Sequence, residues 1–121
     1  FNLYAALCSL SDETQIATTA EDMMTLEKSL AVRESVRLFH EFFGLFAATV
    51  TVGAGAYGGL YLTGGVLDRL AEKNKLDLAR FEKYFAGDFV PSVKKSLEQT
   101  PVTHITDPYL SLHGLLRAAD A

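Results

Sequence analysis

The chain has 121 residues, a formal net charge of -4, 49% hydrophobic residues and 21% charged ones. That is the length of one domain and the composition of a globular one, which excludes an intrinsically disordered chain. The acidic balance, with no Lys/Arg cluster to offset it, leaves no footprint for DNA or RNA, and the single cysteine, Cys8, excludes an intramolecular disulfide or a multi-cysteine zinc site.

In chain order, Phe1-Asn2-Leu3-Tyr4-Ala5-Ala6-Leu7 reads as an amphipathic helix without its cap and its beginning. The chain is therefore expected to be part of something larger. Residues 9–19 are polar, and Ser11-Asp12-Glu13-Thr14 is turn chemistry. Thr19 is a candidate N-cap, because Glu21 and Asp22 follow in the first turn, where carboxylates suit the helix dipole. The short helix it starts is expected to reach Ser29, with Met23, Leu26 and Leu30 at helical spacing and the two methionines, Met23 and Met24, as core filling rather than a ligand surface.

A long helix is predicted over 31–52. Val32, Val36, Phe39, Phe43, Phe46 and Val50 recur at intervals of three and four. Arg33, Glu34, Arg37 and Glu41 give its first half a polar face. Its second half is apolar nearly all round and is expected to be buried from several sides, with Gly44, Ala47 and Ala48 allowing a neighbour to come close. From Phe42 to Leu67 no charged residue occurs, a run long enough to cross a bilayer. Seven glycines fall within it, each costing a helix in water about 1 kcal/mol relative to alanine. A buried helix, a glycine turn and a strand account for the run better than a membrane span.

The strand is Leu60-Tyr61-Leu62, within 59–63, set between the pairs Gly58-Gly59 and Gly64-Gly65. Its aromatic residues, with Tyr57, read as buried rather than as a stacking platform for a base. At Gly64-Gly65 the chain must turn into a helix that starts near Val66. Glycine there allows positive φ and removes the Cβ atoms that would hold a planar ligand off the backbone. A strand, a glycine turn and a helix start make a site to which a nucleotide can dock, although the spacing alone fits a tight turn without a ligand better. The helix breaks near Asn74. Leu78, Phe81, Tyr84 and Phe85 form another stripe, ended by Gly87 as a C-cap, and Pro91 opens a helix through Leu97. A second strand over 101–106 ends at Asp107-Pro108, where Asp107 reads as an Asx turn, and a last helix covers 109–118. His40, His104 and His113 lack neighbouring cysteines or a carboxylate pattern, so no metal site is expected. Lys94-Lys95 reads as a solvated face, and Asp68 as an ordinary first-turn carboxylate.

Strand, helices, strand and helix make a right-handed crossover between two parallel strands. Two strands are too few for a sheet covered on both faces, so the sheet is expected to continue in strands outside this chain or in another molecule. The isolated chain is accordingly expected to self-associate, with a homodimer as the expected assembly.

This order resembles the C-terminal part of the bacterial glucokinase family, within the hexokinase/actin-like ATPase superfamily. The resemblance is strongest from Val36 to Gly65: Leu38-Phe39 through Gly44, then Ala56-Tyr57-Gly58-Gly59-Leu60-Tyr61-Leu62-Thr63-Gly64-Gly65-Val66. Phe1-Asn2-Leu3-Tyr4, Pro101-Val102, Asp107-Pro108 and Leu110 through Gly114 extend it. It implies an α/β fold, a helix-rich C-terminal portion of an actin-like ATPase (RNase H-like) domain with about two parallel strands, residues 1–121 forming one incomplete portion of a two-domain enzyme. It also implies transfer of the γ-phosphoryl of ATP to glucose, with Mg²⁺ on the phosphates, in the cytoplasm. Gly64 and Gly65 match the pair against which adenosine packs, with Thr63 beside them. The family's Asp-x-Gly-Gly-Thr, Gly-Thr-Gly and Glu-Gly-Gly-His segments do not occur in this sequence. No catalytic residue and no Mg²⁺ ligand is therefore assigned to the chain, and the fragment alone is expected to be inactive. The alternative is a non-enzymatic α/β interaction module that completes its sheet with another subunit.

Overall fold

The computed structural model describes every residue except Glu27, Pro108 and Ala121. Among the described residues seven helices and two strands follow one another as α1 (Asn2–Leu10), α2 (Ala20–Thr25), α3 (Leu30–Ala54), β1 (Leu60–Leu62), α4 (Gly65–Glu72), α5 (Leu78–Phe85), α6 (Pro91–Glu98), β2 (Val102–His104) and α7 (Leu110–Ala119). The order is the one expected. Helix α2 stops at Thr25, short of Ser29, and both strands are trimmed to three residues. The strands pair in parallel, Leu60 opposite Val102 and Leu62 opposite His104. Backbone bonds from Leu60 N–H to Pro101 O and from Ile105 N–H to Leu62 O, each 2.8 Å, extend the ladder beyond both ends.

Helix α3 is the axis of the molecule, and its start is capped twice. Ser29 Oγ accepts from Val32 N–H at 3.2 Å, and the Ser29 hydroxyl donates to Glu13 Oε2 at 2.8 Å. The other oxygen of Glu13 accepts from the Leu30 and Ala31 N–H groups. The polar connector thus places a carboxylate on the positive end of the longest helix, where it satisfies donors that the helix cannot pair itself. At the other end Gly55 takes a left-handed conformation and its N–H bonds to Thr51 O and Val52 O, which closes the helix and splits the uncharged run in two. Length and composition alone would let α3 cross a membrane, but α1, α5 and α6 pack against it.

Two apolar clusters lie along α3. Tyr4 and Cys8 of α1 meet Ala17, Met23, Ala31 and Val32 near its start. Farther along, Ala47 and Ala48 meet Leu62, Leu67, Phe81, Phe85 and Leu97, so the second half of α3 lies beneath the sheet and against α5. Burying a side chain such as Phe81 is worth about 1.5–3 kcal/mol. The close approach expected at Gly44 is real: a Cβ there would stand 2.5 Å from Phe81 O and 3.1 Å from Phe85 N.

Between the same two helices runs a polar seam. Glu41, 8% exposed, accepts from Arg37 at 2.5 Å and from Arg80 at 2.9 Å. Arg37 also pairs with Glu34, and Arg80 with Asp77. Burial pushes the Glu41 carboxyl up, but hydrogen bonds from Arg80, Arg37 and Tyr84 outweigh it and hold the group below its ordinary value. His40 is buried beside this network. Asp77 N–H donates to its Nε2 at 3.0 Å, so Nδ1 carries the proton and donates to Val36 O at 2.6 Å.

Three expectations fail. The second half of α3 is not buried all round: Phe42, Leu45, Phe46 and Val50 are exposed, on the side away from α5. Tyr57 and Tyr61, both expected to be buried, are 38% and 68% exposed, and only Leu62 of β1 is buried, because a lone pair of strands covers one face of each. The C-cap of α5 is Ala86 rather than Gly87, which follows it. The Asx turn at Asp107 is present, with Tyr109 N–H donating to Oδ1 at 2.8 Å; Pro108 lies outside the described residues.

Candidate functional site

The site predicted at Thr63, Gly64 and Gly65 sits where β1 passes into α4. All three residues are exposed. The strand ends because Gly64 adopts φ 129 and ψ 154, a backbone that side chains disfavour, and Gly64 then serves as N-cap of α4. Its carbonyl accepts from Leu67 N–H at 3.0 Å and Asp68 N–H at 3.2 Å. Gly65 has no positive φ. A Cβ on either glycine would meet nothing within 4 Å, so the turn opens onto free space. With Leu67 and Asp68 satisfied by Gly64 O, the first two N–H groups of α4, those of Gly65 and Val66, are the ones left to an outside partner.

Beside Gly65 lies a concavity of about 290 Å³ between α2 and α4, lined by Ala20, Met24, Thr25, Val66 and Arg69 among others. Its walls are mostly apolar, with Arg69 bonded to Glu21 across the two helices at 3.0 Å and to Glu72 at 3.1 Å. It is large enough for a purine ring beside the glycine turn. The sequence did not single out α2 as a wall of this site. Met24, read from the sequence as core filling, packs partly against the cluster at the start of α3 and also lines this concavity.

Asp68 and His104 are also brought together. The His104 ring stands with Nε2 3.2 Å from Asp68 Oδ1, joining the last residue of β2 to the first turn of α4. Tyr57 and Tyr61 are exposed but line neither the concavity nor the turn. Lys94 and Lys95 are solvated, as expected. Among the described residues no cluster of three His, Cys, Asp or Glu side chains could hold a metal ion.

A larger, open groove of about 840 Å³ runs between the first half of α3 and residues 73–80, with Arg33, Arg37, Lys73, Lys75 and Arg80 along it. Its charge is largely committed. Arg37 and Arg80 hold Glu41, and Lys75 donates to Met24 O at 2.8 Å. The glycine turn, where space and free donors coincide, is the better candidate.

Comparison with known proteins agrees along the whole length. Residues 1–121 match the family model described as Glucokinase. The chain is 32% identical over 119 residues to a glucokinase of Paramagnetospirillum magneticum, covering 95% of this chain and 36% of that protein. It is 30% identical over 118 residues to a glucokinase of Photorhabdus laumondii, covering 93% of this chain and 35% of that one. It thus spans about a third of the length of these relatives. A crystal structure of glucokinase from an Antarctic psychrotroph superposes with a TM-score of 0.80 at 23% identity, over 98% of this chain and 37% of that one, which shows the shared fold. The chain belongs to the glucokinase family.

Proposed function

We propose that this chain is the C-terminal portion of an ATP-dependent glucokinase, a cytoplasmic enzyme that phosphorylates glucose to glucose 6-phosphate. Residues 1–121 are one incomplete C-terminal portion of this two-domain enzyme and supply a wall of the adenosine pocket. The observation that carries this reading is the exposed Gly64-Gly65 turn, which faces open space at the head of α4 and lies beside an apolar concavity.

In this reading Thr63, Gly64 and Gly65 bind the adenosine of ATP. Gly64 supplies the backbone reversal, and Gly65 leaves room for the planar base and sugar to lie against the chain. Met24 and Val66 offer the apolar surface that a base requires. Bound ATP supplies the phosphoryl group, with Mg²⁺ offsetting its charge. The Mg²⁺ ligands, the catalytic base and the glucose contacts belong to other segments of the enzyme. Phosphoryl transfer depends on positioning and charge stabilisation, so a rigid adenosine wall contributes by fixing where the phosphates lie. The fragment alone does not phosphorylate glucose, and the intact enzyme is a homodimer.

The test is a steady-state assay of the full-length protein with ATP and glucose. Gly65→Val should raise the KM for ATP and leave that for glucose unchanged. An unchanged ATP KM in the folded variant would remove Gly65 from the site. An absence of glucose phosphorylation by the full-length parent would overturn the activity itself.

A further inference from the structure

The glycine turn has no packing of its own, so its position depends on what anchors its two ends. The β1 end is held by the ladder, in which Leu62 lies opposite His104 and accepts from Ile105 N–H at 2.8 Å. On the α4 side, Leu67 and Leu70 are buried and Asp68 reaches His104. These links close a ring that runs from Leu62 through Thr63, Gly64 and the first turn of α4 to Asp68, then across to His104 and back to Leu62. Within the ring, Thr63, Gly64, Gly65 and Val66 are exposed, whereas Leu62 and Leu67 on either side of them are buried. The His104 side chain is 11% exposed and that of Asp68 33%, so the bond is sheltered although the turn beside it is open.

We infer that His104 and Asp68 are positioning residues for the nucleotide turn, holding the head of α4 at a fixed distance from β2 so that the donors and the bare backbone at Gly64-Gly65 present one geometry to the ligand. Neither touches the ligand. The inference rests on the nucleotide reading of the turn and adds the device that holds it. A sheltered hydrogen bond to a carboxylate is strong enough to select one loop geometry among several, and small misplacements of a binding element are costly when a reaction depends on alignment.

The test uses the full-length protein. His104→Ala should raise the KM for ATP about three- to tenfold, the scale set by losing one ordinary hydrogen bond, while kcat and the KM for glucose stay within about twofold. Asp68→Ala should match it. Asp68→Asn, which keeps an acceptor oxygen facing the ring, should restore most of the loss, and the double variant His104→Ala/Asp68→Ala should be no worse than either single one. Additive singles, or a fall in thermal stability with the ATP KM unchanged, would reduce the pair to an ordinary structural contact. If His104→Ala does not fold, the comparison of Asp68→Ala with Asp68→Asn decides the same question. Gly65→Val, measured alongside, separates the two failures. If it raises the ATP KM and His104→Ala does not, the positioning role alone falls; if neither does, the nucleotide reading falls with it.

Discussion

At Gly44 the backbone of α5 presses so closely on α3 that an added Cβ would meet Phe81 O at 2.5 Å, whereas beside Gly65 there is nothing within 4 Å. The two glycines lie in one uncharged run, and composition gives them the same meaning. The fold gives them opposite ones. In the seam between α3 and α5, glycine removes volume so that protein can meet protein, and its worth is stability. At the head of α4 it removes volume where no protein comes, so there it contributes nothing to packing. The neighbours follow the same division. Around Gly44 stand stacked Phe81 and Phe85 and a network of four charged side chains anchored on Glu41; around Gly65 stand backbone and open space.

The largest effect should come from filling the seam. Gly44→Ala should destabilise the full-length protein by about 1–3 kcal/mol or more, because the obstacle is backbone that cannot turn aside. A thermal melt checks this, and an unshifted melting temperature would show that the two helices separate easily. Next is the open turn. Gly65→Val should raise the KM for ATP about tenfold, of the order of one lost favourable contact plus a steric one, with a melting temperature close to that of the parent. A variant that unfolds would blur the contrast between the two glycines. Smaller, and confined to acid, is the response of the seam's carboxylates. Glu41 and Asp77 are both held below their ordinary values. Their contribution to stability is therefore complete above the unfolded carboxylate range, about pH 4, and lost as pH falls through the lower folded values. Melting temperature followed downward from pH 6 should drop in that range, and Glu41→Gln should flatten the profile while lowering stability at neutral pH. The smallest change should be an improvement. Thr51 is 1% exposed, and among the described residues its hydroxyl has no hydrogen-bond partner. Thr51→Val removes the unsatisfied group at nearly constant volume, so it should be neutral or stabilise by up to about 1 kcal/mol.

Much of this architecture was legible in the sequence because it depends on near neighbours in the chain. The three-and-four spacing of Val32, Val36 and Phe39 draws α3, the glycine pairs bracket β1, and Thr19 caps α2 as its first-turn acids imply. The turn at Gly64-Gly65 could be placed, and its exposure is what a docking role requires. Distant partners were not legible. Glu13 reads as turn chemistry, yet it caps a helix that begins after the next one has ended. Asp68 and His104 each look ordinary until the crossover brings β2 alongside α4. The apolar second half of α3 was misread for a related reason. Periodicity reports which residues are apolar, but not which of them a neighbour covers, and Phe42 and Phe46 face away from α5.

The parallel pairing of β1 with β2 has a kinetic consequence. Leu60 cannot meet Val102 until α4, α5 and α6 have been laid down between them, so every ladder bond closes a long loop. Loop closure of that kind is slow compared with helix formation, and the contacts of α3 with α5 and α1 are available without it. Refolding should therefore show helical structure before the strands join, and the glycine turn, whose geometry depends on that junction, should be among the last parts of the molecule to reach its final form.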